Sequence, residues 1–240
     1  MMLYSSTAVS TIVNRVMFPY YSRVQTDIGK FREAYLRSSA AIAILAFPMM
    51  LGIAALSEEI VVVVFNPDWR DAVSAPLSIL ALAGMVQSVL FANGSVFQAA
   101  GRTDRMFLFG AITAVLSLTG FFVGLRWGVT GVAAGYLAAN ILLLAPGFAL
   151  SLPLIETSVG SLLKRLAPPL AAAVGMATIV YVAKSFISES NVYLRFGALV
   201  GVGVASYAAL ARFICSAGIE DLRRAIRGED KSTTGEGEGE

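Results

Sequence analysis

Arg15 is the most chemically suggestive residue: a cation inside an apolar run, eight residues and so roughly 12 Å of helix before the next cation, Arg23. A guanidinium within a hydrocarbon layer is costly unless it meets a partner, water or headgroups. Two readings fit it. Beside Asn14, its forked donors suit phosphate oxygens, or its long stem returns the charge to the headgroups. Neutral amides form a second group. Gln87, Asn93 and Gln98 share one apolar stretch; at about 100° per residue Gln87 and Gln98 nearly coincide, while Asn93 and Gln98 stand about 140° apart. These three and Asn140 could line a hydrophilic path or hydrogen-bond between helices. Asp68 and Asp71 in NPDWRD are a close acidic pair of the kind that holds a metal or serves as a general base, and equally a pair of solvated loop charges. Histidine is absent and Cys215 is the only cysteine, which excludes imidazole acid–base catalysis, thiolate zinc sites and internal disulfides. No cofactor, metal site or catalytic group is expected.

The elements that must position these residues follow from composition. Of 240 residues 57% are hydrophobic and 14% charged, against about a quarter charged in a soluble domain. The apolar residues come in runs near the roughly 20 needed to cross a bilayer. The expected fold class is all-α, a polytopic transmembrane helix bundle of about seven spans: 3–22, 38–65, 74–99, 106–125, 128–152, 165–185 and 192–214. Pro48 and Pro146 fall inside spans, where neighbouring helices can satisfy the carbonyls they free. After the second span EEIVVVVFNPDW reads as a short amphipathic piece along the interface, anchored by Trp69, in which Glu58 and Glu59 need not be buried. The pairs Gly120 and Gly124, Gly131 and Gly135, and Gly197 and Gly201 are small-xxx-small patterns that permit close helix approach.

Cations set the orientation. Assigning connections to alternate sides gives thirteen Lys and Arg against four, the four being Arg70, Arg126, Lys184 and Arg195. By the positive-inside rule this places the C-terminus in the cytoplasm. The short turn with Arg102 and Arg105 serves as a topogenic stop or as an anion contact. The basic residues sit in blocks between apolar runs, so no nucleic-acid partner is expected. Seven spans would put Met1 outside, with no basic segment or signal peptide ahead of it, and the expectation is a chain lacking earlier helices. Residues 1–152 are expected to form a partial bundle and 153–215 two further helices. Residues 216–240 read as a cytoplasmic basic segment and a disordered acidic, Gly-rich tail.

Several stretches carry a resemblance. LYSSTAVSTIVNRVMFPYYSRVQTD, AILAFPMMLGIAALSEEIVVVVFNPDW, FNPDWRDAVSAPLSILAL, FQAAGRTDRMFL and WGVTGVAAGY occur in this order over about residues 3–152. Together they resemble the second half of a Wzx-like polysaccharide (O-antigen or exopolysaccharide) flippase of the multidrug/oligosaccharidyl-lipid/polysaccharide exporter superfamily. The resemblance implies two six-helix bundles around a cavity of alternating access in a bacterial inner membrane. The partners it implies are the lipid bilayer, an undecaprenyl-pyrophosphate-linked oligosaccharide and a missing N-terminal bundle. Arg15, with Asn14, would then face the cavity and bind pyrophosphate or an acidic sugar.

Other functions are weighed against this one. A cation-coupled multidrug exporter would want an acid deep in the membrane, whereas every Asp and Glu lies near a span end or in a connection. An enzyme acting on lipid-linked sugars would want a sizeable outer loop or deep carboxylates, and the outer connections are short. A truncated, inactive product is the remaining alternative.

Overall fold

The computed structural model describes residues 27–187 and 191–214, and among them there is no strand. The expected first span, 3–22, with Asn14 and Arg15, lies outside the described residues, as do Cys215 and the segment 216–240. The described chain forms seven helices: α1 Ile28–Ala55, α2 Ser57–Val64, α3 Arg70–Ala99, α4 Thr103–Gly124, α5 Gly128–Ser151, α6 Val159–Phe186 and α7 Val192–Ile214. Short 3-10 turns, Pro67–Trp69, Leu125–Trp127 and Leu152–Ile155, precede α3, separate α4 from α5 and follow α5.

α1 starts ten residues before the expected 38, because polar and apolar residues alternate on a helical period there. Phe31, Ala34, Tyr35 and Leu36 are buried while Lys30 and Arg32 face out. The Asp27 carboxylate caps this start by accepting the Lys30 amide at 3.1 Å. That bond, with the Lys30 ammonium, holds the Asp27 carboxyl below its usual range. Ser158 caps α6 likewise, accepting from the Ser161 amide at 3.2 Å, so α6 starts at Val159 rather than 165.

Thr103–Ile155 is apolar enough throughout to count as a single 53-residue span, but at 1.5 Å per residue that would be roughly 80 Å, far beyond a bilayer of about 30 Å. It is two antiparallel helices. The reversal passes through Gly128 at φ 69° and ψ −156°, a conformation open to glycine alone. Below it a Cβ on Gly120 would collide with the Gly135 carbonyl, and one on Gly124 with the Gly131 carbonyl. The four glycines thus let the two backbones touch. Gly197 and Gly201 differ: a Cβ on either meets none of the described residues within 4 Å, so they bring no described helix close.

Six helices of 22 residues or more therefore cross between two ends, and α2 lies as a short piece after α1. Their main packing partners form a row: α4 on α5, α5 on α3, α3 on α1, α1 on α6, and α6 on α7. α6 leaves its chain neighbour α5 and packs on α1, so one apolar core holds Phe31, Tyr35 and Phe47 of α1, Val96 of α3, and Leu162 and Leu166 of α6. A second, smaller core at the other end joins Leu56, Met176, Val180 and Leu199.

Candidate functional site

The side-chain amides of this row mark two places, and charge gathers at its two ends. At the first, Asn93 is fully buried. Its side-chain oxygen accepts the Tyr35 hydroxyl at 2.9 Å, and its amide nitrogen donates to the Gly147 carbonyl at 3.3 Å. Ser151 donates to the same carbonyl at 2.8 Å. One amide therefore joins α1, α3 and α5, and with both ends engaged it has little left to offer a solute.

The second place centres on Tyr136 of α5. Its ring stacks on Phe121 of α4 with centroids 5.4 Å apart, and its hydroxyl receives the Gln87 amide at 3.3 Å. Asn140, one turn on, is buried and donates back to the Tyr136 carbonyl at 2.9 Å. Gln98 is exposed where α3 turns into α4, its amide 3.9 Å from the Met106 sulfur. Gln87 and Gln98 are thus both on the exposed side of α3, while Asn93 faces inward; the structure does not gather the four amides at one point.

Charge occupies the two ends. At one, Arg165 of α6 and Arg37 of α1 share Glu33, at 2.9 and 3.0 Å. Nearby in the chain fold Arg32 donates to the Glu156 carbonyl at 3.3 Å and Arg105 to the Leu150 carbonyl at 2.9 Å. These cations sit where α5 and its 3-10 extension end, satisfying carbonyls that a helix terminus leaves unpaired. Beside them an open cleft of about 800 Å³ separates the end of α5 from the start of α6. Leu144, Phe148 and Leu152 line it, with Glu156, Thr157 and Ser158 at its rim.

At the opposite end one expectation fails. Glu59 is only 3% exposed, in the first turn of α2. Its carboxylate lies 2.8 Å from the Lys184 ammonium of α6 and 3.7 Å from the Arg195 guanidinium of α7. Burial is tolerated because the charge is paired on arrival. Glu58, one residue earlier, stays at the surface with Arg70 at 3.3 Å. Asp68 and Asp71 are exposed. Glu59 was discernible only indirectly: few cations mark this end, and two of them required a carboxylate partner.

Relatives supply the context for this geometry. Residues 1–74 match a family described as polysaccharide biosynthesis proteins. The chain is 29% identical over 135 residues to the lipopolysaccharide biosynthesis protein WzxC of Escherichia coli, covering 56% of this chain and 27% of that protein. It is 29% identical over 120 residues to the teichuronic acid biosynthesis protein TuaB of Bacillus subtilis, covering 50% of this chain and 25% of that protein. The chain thus spans about a quarter of the length of these curated relatives. Its fold matches the lipid II flippase MurJ in an inward closed conformation with a TM-score of 0.68 at 19% identity, over 90% of this chain and 43% of that one. A multi-pass helical membrane protein, the chain is similar over part of its length to polysaccharide biosynthesis proteins and shares its fold with a lipid II flippase.

Proposed function

We propose that this chain forms part of the second helical bundle of a flippase. The cargo is an undecaprenyl-pyrophosphate-linked oligosaccharide, carried across a bacterial inner membrane for surface polysaccharide synthesis. The observation that carries the reading is the flippase fold over nine-tenths of the chain, joined to relatives named for lipopolysaccharide and teichuronic acid biosynthesis. The end bearing Arg32, Arg37, Arg105 and Arg165 is the cytoplasmic one, on the thirteen-to-four distribution of cations, and the C-terminus is cytoplasmic. Arg15 with Asn14 engages the anionic part of the substrate, while Gln87 and Gln98, on the exposed side of α3, offer amides to sugar hydroxyls.

The large exposed apolar side chains of α4 and α5, among them Phe107, Val115, Phe122, Val129 and Leu142, face lipid or a companion bundle. The reading is tested by complementation. A transporter containing this chain behind a first bundle restores surface polysaccharide in a flippase-null strain. Failure to restore it, with gain of drug resistance in a pump-deficient strain instead, would reassign the cargo.

A further inference from the structure

Proline inside a helix removes one rung of the hydrogen-bond ladder, because it has no N–H to offer the carbonyl four residues earlier. In α1 that proline is Pro48 and the freed carbonyl is Ile44, on a residue 7% exposed and far from either end of the helix. Within a bilayer no water replaces the lost donor, so the group must be satisfied from inside the protein. The structure supplies a donor from another helix: the Tyr207 hydroxyl of α7 lies 2.6 Å from the Ile44 carbonyl.

Among the described residues α7 has few other holds. Tyr193, Leu194, Val204 and Phe213 are all more than 60% exposed, and apart from its packing on α6 its main contacts are with α2 and α1. Among the polar ties it makes to the described residues are Arg195 with Glu59 near one end and Tyr207 with Ile44 further along.

We propose that Tyr207 is a positioning residue that docks α7 on α1 by replacing the hydrogen bond Pro48 removes, so that the seating of α7 and the backbone state of α1 at Pro48 are coupled. A turn of the Ile44 carbonyl away from α7 releases the helix at this point while Arg195 still tethers it to Glu59. Conversely, lifting α7 leaves a bare carbonyl in α1, a cost that favours rearrangement there. The coupling is reciprocal, as any linkage between two states must be. It does not depend on what the protein carries.

A double-mutant cycle in the full chain, reconstituted in lipid nanodiscs, reads this directly. Spin labels at Leu45 and Val204, both exposed, report the α1–α7 distance in a background with Cys215 replaced by serine. Tyr207→Phe keeps the ring and removes only the hydroxyl; it shifts the docked-to-undocked ratio about 3- to 20-fold, the range of an interhelical hydrogen bond in a membrane. Pro48→Ala restores the N–H to Ile44, and in that background Tyr207→Phe has a smaller effect. An equal effect of Tyr207→Phe with and without Pro48, or no effect with Pro48 present, overturns the proposal. Where Tyr207→Phe alone does not fold, a double variant that folds supports it and a double variant that also fails overturns it.

Discussion

Replacing Glu59 by glutamine removes one charge and almost no volume, and leaves two cations facing a neutral amide. At an effective dielectric of about 20 the 2.8 Å contact with Lys184 is worth about 6 kcal/mol of attraction and the 3.7 Å contact with Arg195 about 4.5 kcal/mol. Most of that offsets the desolvation of the three groups. What remains measurable is the penalty of stranding the cations, about 3–5 kcal/mol for a fully buried pair. The Lys184 and Arg195 side chains keep 17% and 30% of their surface in contact with solvent, so the lower end applies, about 2–3 kcal/mol. For a protein of this size each kcal/mol moves the unfolding midpoint by about 2–4 °C, giving a fall of about 4–12 °C for Glu59→Gln in nanodiscs. Adding Lys184→Met removes one stranded charge and recovers part of the loss. Glu33→Gln, at the exposed pair with Arg165, shifts the midpoint by less than about 3 °C. A Glu59→Gln midpoint no lower than that of Glu33→Gln would refute the claim that the buried carboxylate holds this end together.

Other consequences follow from packing. Gly135→Ala and Gly124→Ala each place a methyl on the facing helix backbone and cost about 1–3 kcal/mol or more, whereas Gly197→Ala and Gly201→Ala, open on that side, are neutral within about 0.5 kcal/mol; thermal unfolding of the four variants checks the contrast. Asn93→Ala removes the acceptor of the Tyr35 hydroxyl and the donor to the Gly147 carbonyl, a loss of about 1–3 kcal/mol, read as faster hydrogen exchange along α1 and α3. Arg15→Ala lowers polysaccharide export at unchanged protein level and Arg15→Lys retains part of it, the charge kept but the bidentate fork lost; equal export by all three forms would remove Arg15 from the cavity.

Much of the fold follows from hydrophobic run length. The stretch after Thr103 shows why: its apolar run is far too long for one helix, and Arg126 with Gly128 marks the reversal. The pairing of Gly120 with Gly135 and Gly124 with Gly131 needed three dimensions, because small residues four apart are equally present at Gly197 and Gly201, where a Cβ meets none of the described residues. The site was less legible. Helical periodicity separated Asn93 from Gln87 and Gln98, but not the partners Tyr35 and Gly147, which come from helices remote in sequence. Glu59 was misplaced because an acid beside an apolar run reads as interfacial unless its cations, 125 and 136 residues later, are known to fold onto it. Pro48 announced that a carbonyl would need a donor, yet nothing local pointed to Tyr207.

The central claim is movement of a lipid-linked saccharide, and the most direct measurement is translocation in a sealed membrane. Proteoliposomes holding a transporter that contains this chain are loaded with radiolabelled undecaprenyl-pyrophosphate-linked oligosaccharide in both leaflets, then exposed to a membrane-impermeant glycosidase. Label from the inner leaflet becomes cleavable over time, beyond the outer-leaflet fraction cleaved in protein-free vesicles. Cleavage that stops at the protein-free fraction, with correctly inserted and folded protein, would contradict it.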